Sequence, residues 1–104
     1  MRLLLVGAGL PEPVLNHVLF DRRGVAVLWP DAAYPQWRIA LQYDGEHHAG
    51  AEQHLRDIRR QDMTASQGWL EVRIGKQHLD GEHPAVVSTV RRALQSRGWS
   101  RNDR

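Results

Sequence analysis

Hydrophobic and polar positions alternate along the first half of the chain in a pattern that predicts strands. Apolar and aromatic residues dominate residues 14–20 and again residues 25–29. A glycine-containing polar cluster at residues 21–24 separates these two runs, which predicts a hairpin. Residues 37–43 alternate between apolar and polar positions and predict a third strand that ends at a turn.

The period changes to that of a helix over residues 51–67. Leu55 and Ile58 lie three apart there, small alanines extend the apolar stripe, and the other face is densely charged. Gly68 is the expected terminator. Residues 69–74 then predict a fourth strand. This strand, helix, strand order implies a right-handed crossover between two parallel strands.

Helices are also expected at both ends of the chain. Residues 3–8 predict a short helix closed by Gly9, since Pro11 cannot continue it. A last helix begins at Pro84, a favoured first helical position, and ends before Gly98. The residues expected on its buried side are Val86, Val87, Val90 and Leu94.

The length of 104 residues is that of one small domain. We expect that domain at residues 1–98, followed by a basic tail at residues 99–104. The predicted fold class is α/β, with a mixed central sheet of about four strands flanked by helices. The chain has no cysteine, which excludes disulfides and thiolate zinc sites, so it reads as intracellular, in the cytoplasm. No run approaches the roughly 20 apolar residues of a spanning helix, so no membrane association is expected.

Charge is unevenly distributed along the chain. Residues 1–52 hold four arginines against six acids, whereas residues 53–104 hold nine arginines and Lys76 against six acids. A basic half beside a group of carboxylates suits a phosphodiester substrate, whose backbone is held by cations. An ordinary solvated, arginine-rich surface has the same charge, and charge alone favours that simpler interpretation.

Acidic and imidazole groups are concentrated between residues 31 and 48. Gln42 and Asp44 lie two apart, on one face of a predicted strand, and Asp31 arrives from the strand before. Oxygen ligands of this kind favour a hard cation such as Mg²⁺. Zinc is the competing interpretation, and its ligands would be His47, His48, His54 and Asp57. Their spacing matches no established zinc motif.

Several short motifs, in their order and spacing, point to one family. They are Gly9-Leu10-Pro11-Glu12-Pro13, Pro30-Asp31, Tyr34-Pro35-Gln36-Trp37-Arg38, Tyr43-Asp44-Gly45-Glu46-His47-His48, Arg56-Asp57, Gly68-Trp69 and Val72-Arg73. In this the chain resembles, over nearly its whole length, a bacterial domain family related to very-short-patch repair endonucleases. That family belongs to the PD-(D/E)XK restriction-endonuclease-like superfamily. The resemblance implies a central mixed sheet whose strands carry the active-site acids.

The resemblance also implies a nuclease reaction on DNA. In such nucleases Mg²⁺, or Mn²⁺, bridges protein carboxylates and a phosphate oxygen and activates the water that attacks the scissile phosphate. Asp31 matches the aspartate in the first half of the motif. Gln42 stands at the position of the acidic residue in the second half, and Asp44 stands at the position of the lysine. These three residues would bind the metal and act in catalysis. His48 would handle the proton of the water.

Two of these positions depart from the superfamily pattern. Aspartate at position 44 looks usual for this branch, whereas Gln42 removes one negative charge and keeps a carbonyl oxygen that can bind a cation. Metal binding should therefore weaken, because one carboxylate attracts a divalent ion by several kcal/mol even at an effective dielectric constant of about 20. The chain is expected to be either an endonuclease or a weakened, DNA-binding relative of one.

Three arginines are the expected phosphate-binding residues: Arg38, Arg56 and Arg60. Arg56 and Arg60 lie four apart on one helix face, and the fork of arginine donates two parallel hydrogen bonds to a phosphate. A third class of function is a protein-interaction or assembly domain, including a homo-oligomer. Four tryptophans in 104 residues give that class weak support.

Overall fold

The computed structural model describes residues 2–44, 51–79 and 85–100. Its elements, in chain order, are α1 (Arg2–Gly7), β1 (Val14–Leu15), β2 (Leu19–Phe20), β3 (Ala26–Leu28), β4 (Ala32–Tyr34), β5 (Ile39–Asp44), α2 (Ala51–Ser66), β6 (Leu70–Gly75), α3 (Lys76–Leu79) and α4 (Ala85–Ser96). The fold is mixed α/β, as the patterns predict. None of the helices in these residues is long and apolar enough to cross a bilayer.

The central sheet has four strands in the order β1-β4-β5-β6. Strand β4 is antiparallel to both β1 and β5, whereas β5 and β6 are parallel. The parallel register runs from Ile39 opposite Leu70 to Asp44 opposite Gly75. Helix α2 connects the two parallel strands, so the strand, helix, strand order predicted from the sequence is confirmed.

The core lies on one face of this sheet. Alternate residues of β5 and β6 point to it, and α4 and α1 cover it. The fully buried members are Leu5, Ile39, Leu41, Ile74, Val86, Val90 and Leu94. The predicted last helix is thus confirmed as α4. Of its expected core residues, Val87 is only partly buried, at the edge of the cluster.

Trp99 corrects the expected boundary between domain and tail. We expected it in a basic tail, but its side chain is 5% exposed and belongs to the core cluster. Gly98 makes this approach feasible with a φ of 98°, and the Trp99 N–H donates to the Leu94 carbonyl at 3.0 Å. The packed domain therefore reaches residue 99. The last four residues lie outside those described.

The expected hairpin is only partly correct. Strands β2 and β3 pair around the turn at residues 21–24, where the Asp21 side chain accepts hydrogen bonds from the backbone of Arg23 and Val25. Strand β1, expected as the start of the same strand, pairs with β4 in the other sheet. The break lies at Asn16, whose φ of 59° is left-handed and turns the chain from one sheet into the other.

Two short elements were not predicted. Strand β4 has three residues and is buried throughout, and α3 has four, so neither is long enough to show a period. Because β4 exists, Asp31 stands just before a strand of the central sheet and not at the end of the hairpin. Strand β5 begins later than expected, since residues 35–38 form a turn in which Arg38 has a φ of 54°.

Tyr34, at the end of β4, ties this strand to the segment after α1. Its hydroxyl donates to the Pro11 carbonyl at 2.8 Å, and its ring meets Trp37 edge to face with centroids 6.1 Å apart. Burial raises the pKa of the Tyr34 phenol well above its usual value, so the hydroxyl remains a donor at all working pH values. This anchor holds in place the strand that follows Asp31.

The prediction that α2 buries an apolar stripe is wrong. Leu55 is 52% exposed, Ile58 is 40% exposed, and Ala65 is exposed as well, whereas Thr64 is buried. The reason is that α2 covers a face of the sheet that carries polar side chains. Polar and charged groups of the helix point inward there, and its larger apolar residues remain in water.

Replacing Trp99 with alanine should lower the free energy of unfolding by about 3–5 kcal/mol, because it empties a buried position. Trp29→Ala is the matched control, since it removes an indole that is 65% exposed. We expect that control to cost less than about 1 kcal/mol. Urea denaturation followed by circular dichroism measures both values. Equal losses would contradict the burial of Trp99.

Candidate functional site

The candidate site lies on the polar face of the central sheet, opposite the core. In the parallel register Gln42 stands opposite Arg73, and Ala40 stands opposite Glu71. Side chains two residues apart share a face, so Gln42, Glu71 and Arg73 point away from the core residues that alternate with them. Helix α2 contacts β6 and β3 on this side. A polar layer therefore separates α2 from the sheet.

Glu71 is the centre of that layer. Its Oε1 accepts from Nη2 of Arg60 at 3.4 Å and from Nε of Arg73 at 3.3 Å. The Glu71 side chain is 7% exposed, whereas the side chains of Arg60 and Arg73 are 32% and 29% exposed. One buried carboxylate thus holds two guanidinium groups that still reach solvent. This cluster ties α2 to β6 by charge.

Sequence reasoning named Arg60 as a phosphate ligand and missed the role of Glu71. A signal was available, because parallel strands are normally buried on both faces and apolar throughout. Charged residues at alternate positions of such a strand indicate a partner on the covering helix.

Asp31 is held against the neighbouring strand β5. Ala32 pairs with Leu41, so the antiparallel register carries Asp31 to the side of Gln42. The Tyr43 N–H donates to Oδ2 of Asp31 at 2.6 Å. The carboxylate takes the place of a backbone acceptor at a point where β4 has not yet begun. Asp31 is exposed, and its Oδ1 makes no hydrogen bond to the described residues.

Gln42 lines an open cleft between α2 and the β2–β3 hairpin. The cleft has a volume of about 430 Å³. Its walls are Val27, Leu28, Trp29, Gln42, Arg59, Arg60 and Met63. Asp31 does not line this cleft, and it is the strand register that brings these two expected catalytic residues, Asp31 and Gln42, together. Trp29 and Arg59 were not predicted for the site, although the position of Trp29 two residues before Asp31 could have suggested it.

The other predicted site residues are placed less completely. Asp44 ends β5 opposite Gly75, but its side chain is outside what the structure describes, as is the whole of His48. The same holds for the zinc alternative, where His47 and the side chains of His54 and Asp57 lie outside the described part.

The three expected phosphate-binding arginines are not brought together. Arg60 lies at the cleft. Arg56 is exposed and pairs with Glu52, one turn away on the helix, at 3.8 Å. Arg38 precedes β5 at the opposite end from Asp44, and the rise of a strand puts it about 13 Å from Gln42. Arg38 therefore stands too far away to share a phosphate with Gln42.

A hard cation would find only part of a ligand set among the described residues. Mg²⁺ keeps several waters and needs only one or two carboxylates, so Oδ1 of Asp31 and the side-chain oxygen of Gln42 fit as two of its ligands. Asp44 would be the third. Within residues 2–44, 51–79 and 85–100 there is no group of three or more His, Cys, Asp or Glu side chains placed to hold a metal. The nearby guanidinium groups oppose cation binding.

The chain is similar to two proteins from Mycobacterium tuberculosis. Over 93 residues, 88% of this chain, it is 34% identical to an uncharacterized protein of strain CDC 1551 / Oshkosh, and equally so to one of strain ATCC 25618 / H37Rv. The chain spans about 30% of the length of these curated relatives. No family model matches the chain, and no solved structure matches it significantly.

Glu71→Gln should lower the free energy of unfolding by about 1–3 kcal/mol, because two guanidinium groups lose a buried charged acceptor. The loss stays below that of a fully buried pair, since water reaches both arginines. Glu52→Gln is the matched control at an exposed pair, with an expected change below about 0.5 kcal/mol. Urea denaturation of both variants tests this. A loss at Glu71 no larger than at Glu52 would show that the cluster does not hold α2.

Proposed function

We propose that this chain is a Mg²⁺-dependent, endonuclease-like phosphodiesterase that acts on DNA. The observation that carries this proposal is the hydrogen bond from the Tyr43 N–H to Asp31. It fixes a carboxylate beside Gln42, and Tyr43 is the residue between Gln42 and Asp44. The two halves of the motif that the sequence resembles are thereby adjacent in space, which supports a shared function.

The described residues can contribute in three ways. Asp31 supplies a fixed negative charge, because its second oxygen is already held by the backbone of β5. Gln42 supplies a side-chain carbonyl oxygen to the lining of the cleft. Arg59 is exposed at the cleft wall, where a guanidinium can donate to phosphate oxygens. A bound Mg²⁺ would polarise the phosphate and make a water more acidic.

A second candidate function is DNA binding without catalysis. Gln42 favours it, since this side chain cannot supply the charge that a glutamate would. The Glu71 cluster favours it too, because one carboxylate faces two guanidinium groups and leaves this part of the site positive. Such a module would bind DNA with a strong salt dependence and without need of a divalent ion. Binding that disappears in chelator would count against it.

Nicking of supercoiled plasmid in Mg²⁺ or Mn²⁺ tests the catalytic proposal. The Asp31→Asn, Asp44→Asn double variant should nick more than about 100-fold more slowly, because it removes both carboxylates from the expected metal ligands. Asparagine at position 31 still accepts from the Tyr43 N–H, so β5 keeps its support. Glu12→Gln, which changes an exposed acid paired with Arg2, should nick like the wild type. Equal rates in the double variant and the wild type would refute the assignment.

Gln42→Glu should tighten Mn²⁺ binding by about tenfold or more, since it adds a carboxylate next to Asp31. Isothermal titration calorimetry measures the affinity independently of nicking. The matched control is Gln61→Glu, which adds the same charge at an exposed position of α2. An equal gain in both variants would mean that only the overall charge matters. No gain in either would mean that position 42 is not a metal ligand.

A further inference from the structure

Trp29 differs from the other tryptophans in its surroundings. Trp99 is buried in the core, and Trp37 packs against that core cluster. Trp69 stacks on His17 with ring centroids 5.7 Å apart. Trp29 is 65% exposed and appears in none of these contacts. A single exposed aromatic residue is ordinary on a protein surface. The exposure of Trp29 becomes informative because this side chain lines a cleft that also contains polar and charged side chains.

The cleft around Trp29 combines three kinds of group. Trp29, Val27 and Met63 make an apolar wall, and Met63 is itself 40% exposed. Arg59 adds a positive charge, and it forms no ion pair within the part of the chain that the structure describes. Gln42 adds a polar group to the lining. An aromatic face in the same cleft as an exposed guanidinium is the combination that binds a base together with its phosphate.

The chain also joins this wall directly to the candidate catalytic residues. Only Pro30, which is buried and has a fixed φ, separates Trp29 from Asp31. Two residues of extended chain span at most about 7 Å, so the indole and the Asp31 carboxylate belong to the same small surface. One nucleotide can therefore contact Trp29 with its base and Arg59 with its phosphate while it lies close to the candidate catalytic residues.

We propose that this cleft binds single-stranded DNA, with one unpaired base stacked on Trp29 and the adjoining phosphate at Arg59. In a duplex both faces of each base are covered by its neighbours, so an indole can stack only on a base that is unpaired or flipped out. This inference rests on the proposed function for the choice of DNA and adds the form of DNA that is bound. A second copy of this chain seated on the same wall is the rival occupant.

Fluorescence anisotropy of a labelled oligothymidylate, measured with the whole chain in EDTA, tests the proposal. Stacking and the Arg59 contact need no metal, so binding should persist in chelator. The wild type should bind the single strand about tenfold or more tightly than a duplex of equal length. Trp29→Ala should weaken binding of the single strand by about 5- to 150-fold, the cost of one lost stack. Trp29→Phe should retain most of the wild-type affinity for the single strand.

Phe20→Ala is the matched control, because Phe20 is 55% exposed on β2 and does not line the cleft. It should bind like the wild type. Quenching of tryptophan emission by the oligonucleotide should be seen in the wild type and be lost in Trp29→Phe. Equal affinity for duplex and single strand, no binding in EDTA, or unchanged binding by Trp29→Ala would each overturn the proposal.

Sedimentation equilibrium measures whether a second copy of this chain, the rival occupant, associates through the wall that contains Trp29. A wild-type dimer that Trp29→Ala converts to a monomer would also overturn the proposal, since a second copy would then cover the wall. A monomer at all concentrations supports it. Failure of plasmid nicking leaves these binding results intact, so the failure of the proposed function and that of this inference can be told apart.

Discussion

The alternation of side chains along the parallel strands β5 and β6 is the constraint on which the rest of the structure depends. It sends Leu41 and Ile74 to the core and Gln42 and Glu71 to the other face. A parallel pair connected by a helix cannot leave that other face in water, because the connecting helix covers it. The polar face must therefore satisfy its charges under α2. Glu71 does so through Oε1, which accepts from Arg60 of the helix and from Arg73, two residues along its own strand.

This constraint accounts for the unusual orientation of α2. Among the described residues, α2 meets the sheet through the Arg60–Glu71 ion pair and the buried Thr64, and its larger apolar residues Leu55 and Ile58 stay at the surface. Met63 forms part of the open cleft for the same reason. The mixed chemistry of the cleft, apolar on one wall and charged on the other, is therefore a consequence of how α2 packs. No separate binding loop among the described residues is needed to create it.

Periodicity in the sequence predicted the elements that have enough residues to repeat a pattern. Strands β5 and β6 and helices α2 and α4 are of this kind, whereas β4 and α3 are too short to carry any period. The stripe of Leu55 and Ile58 misled because spacing reveals that a helix has an apolar face and not what that face meets. Asp31 and Gln42 were found through their spacing and the resemblance. Glu71 was missed because spacing alone does not reveal that Arg60 on the covering helix and Arg73 on the same strand converge on its carboxylate.

Gln42 is best understood through the charges that surround it. Three arginines adjoin this region, Arg59, Arg60 and Arg73, and the acids placed there among the described side chains are Asp31 and Glu71. With glutamine at position 42 these described charges leave an excess of one positive charge, whereas a glutamate would make them cancel. A site with an excess of positive charge attracts a phosphate and opposes a divalent cation. On charge alone, glutamine at position 42 therefore favours an anion over a divalent cation, where a glutamate would do the reverse. Under the proposed function, metal-dependent cleavage and metal-free binding of DNA would place opposite demands on this one position.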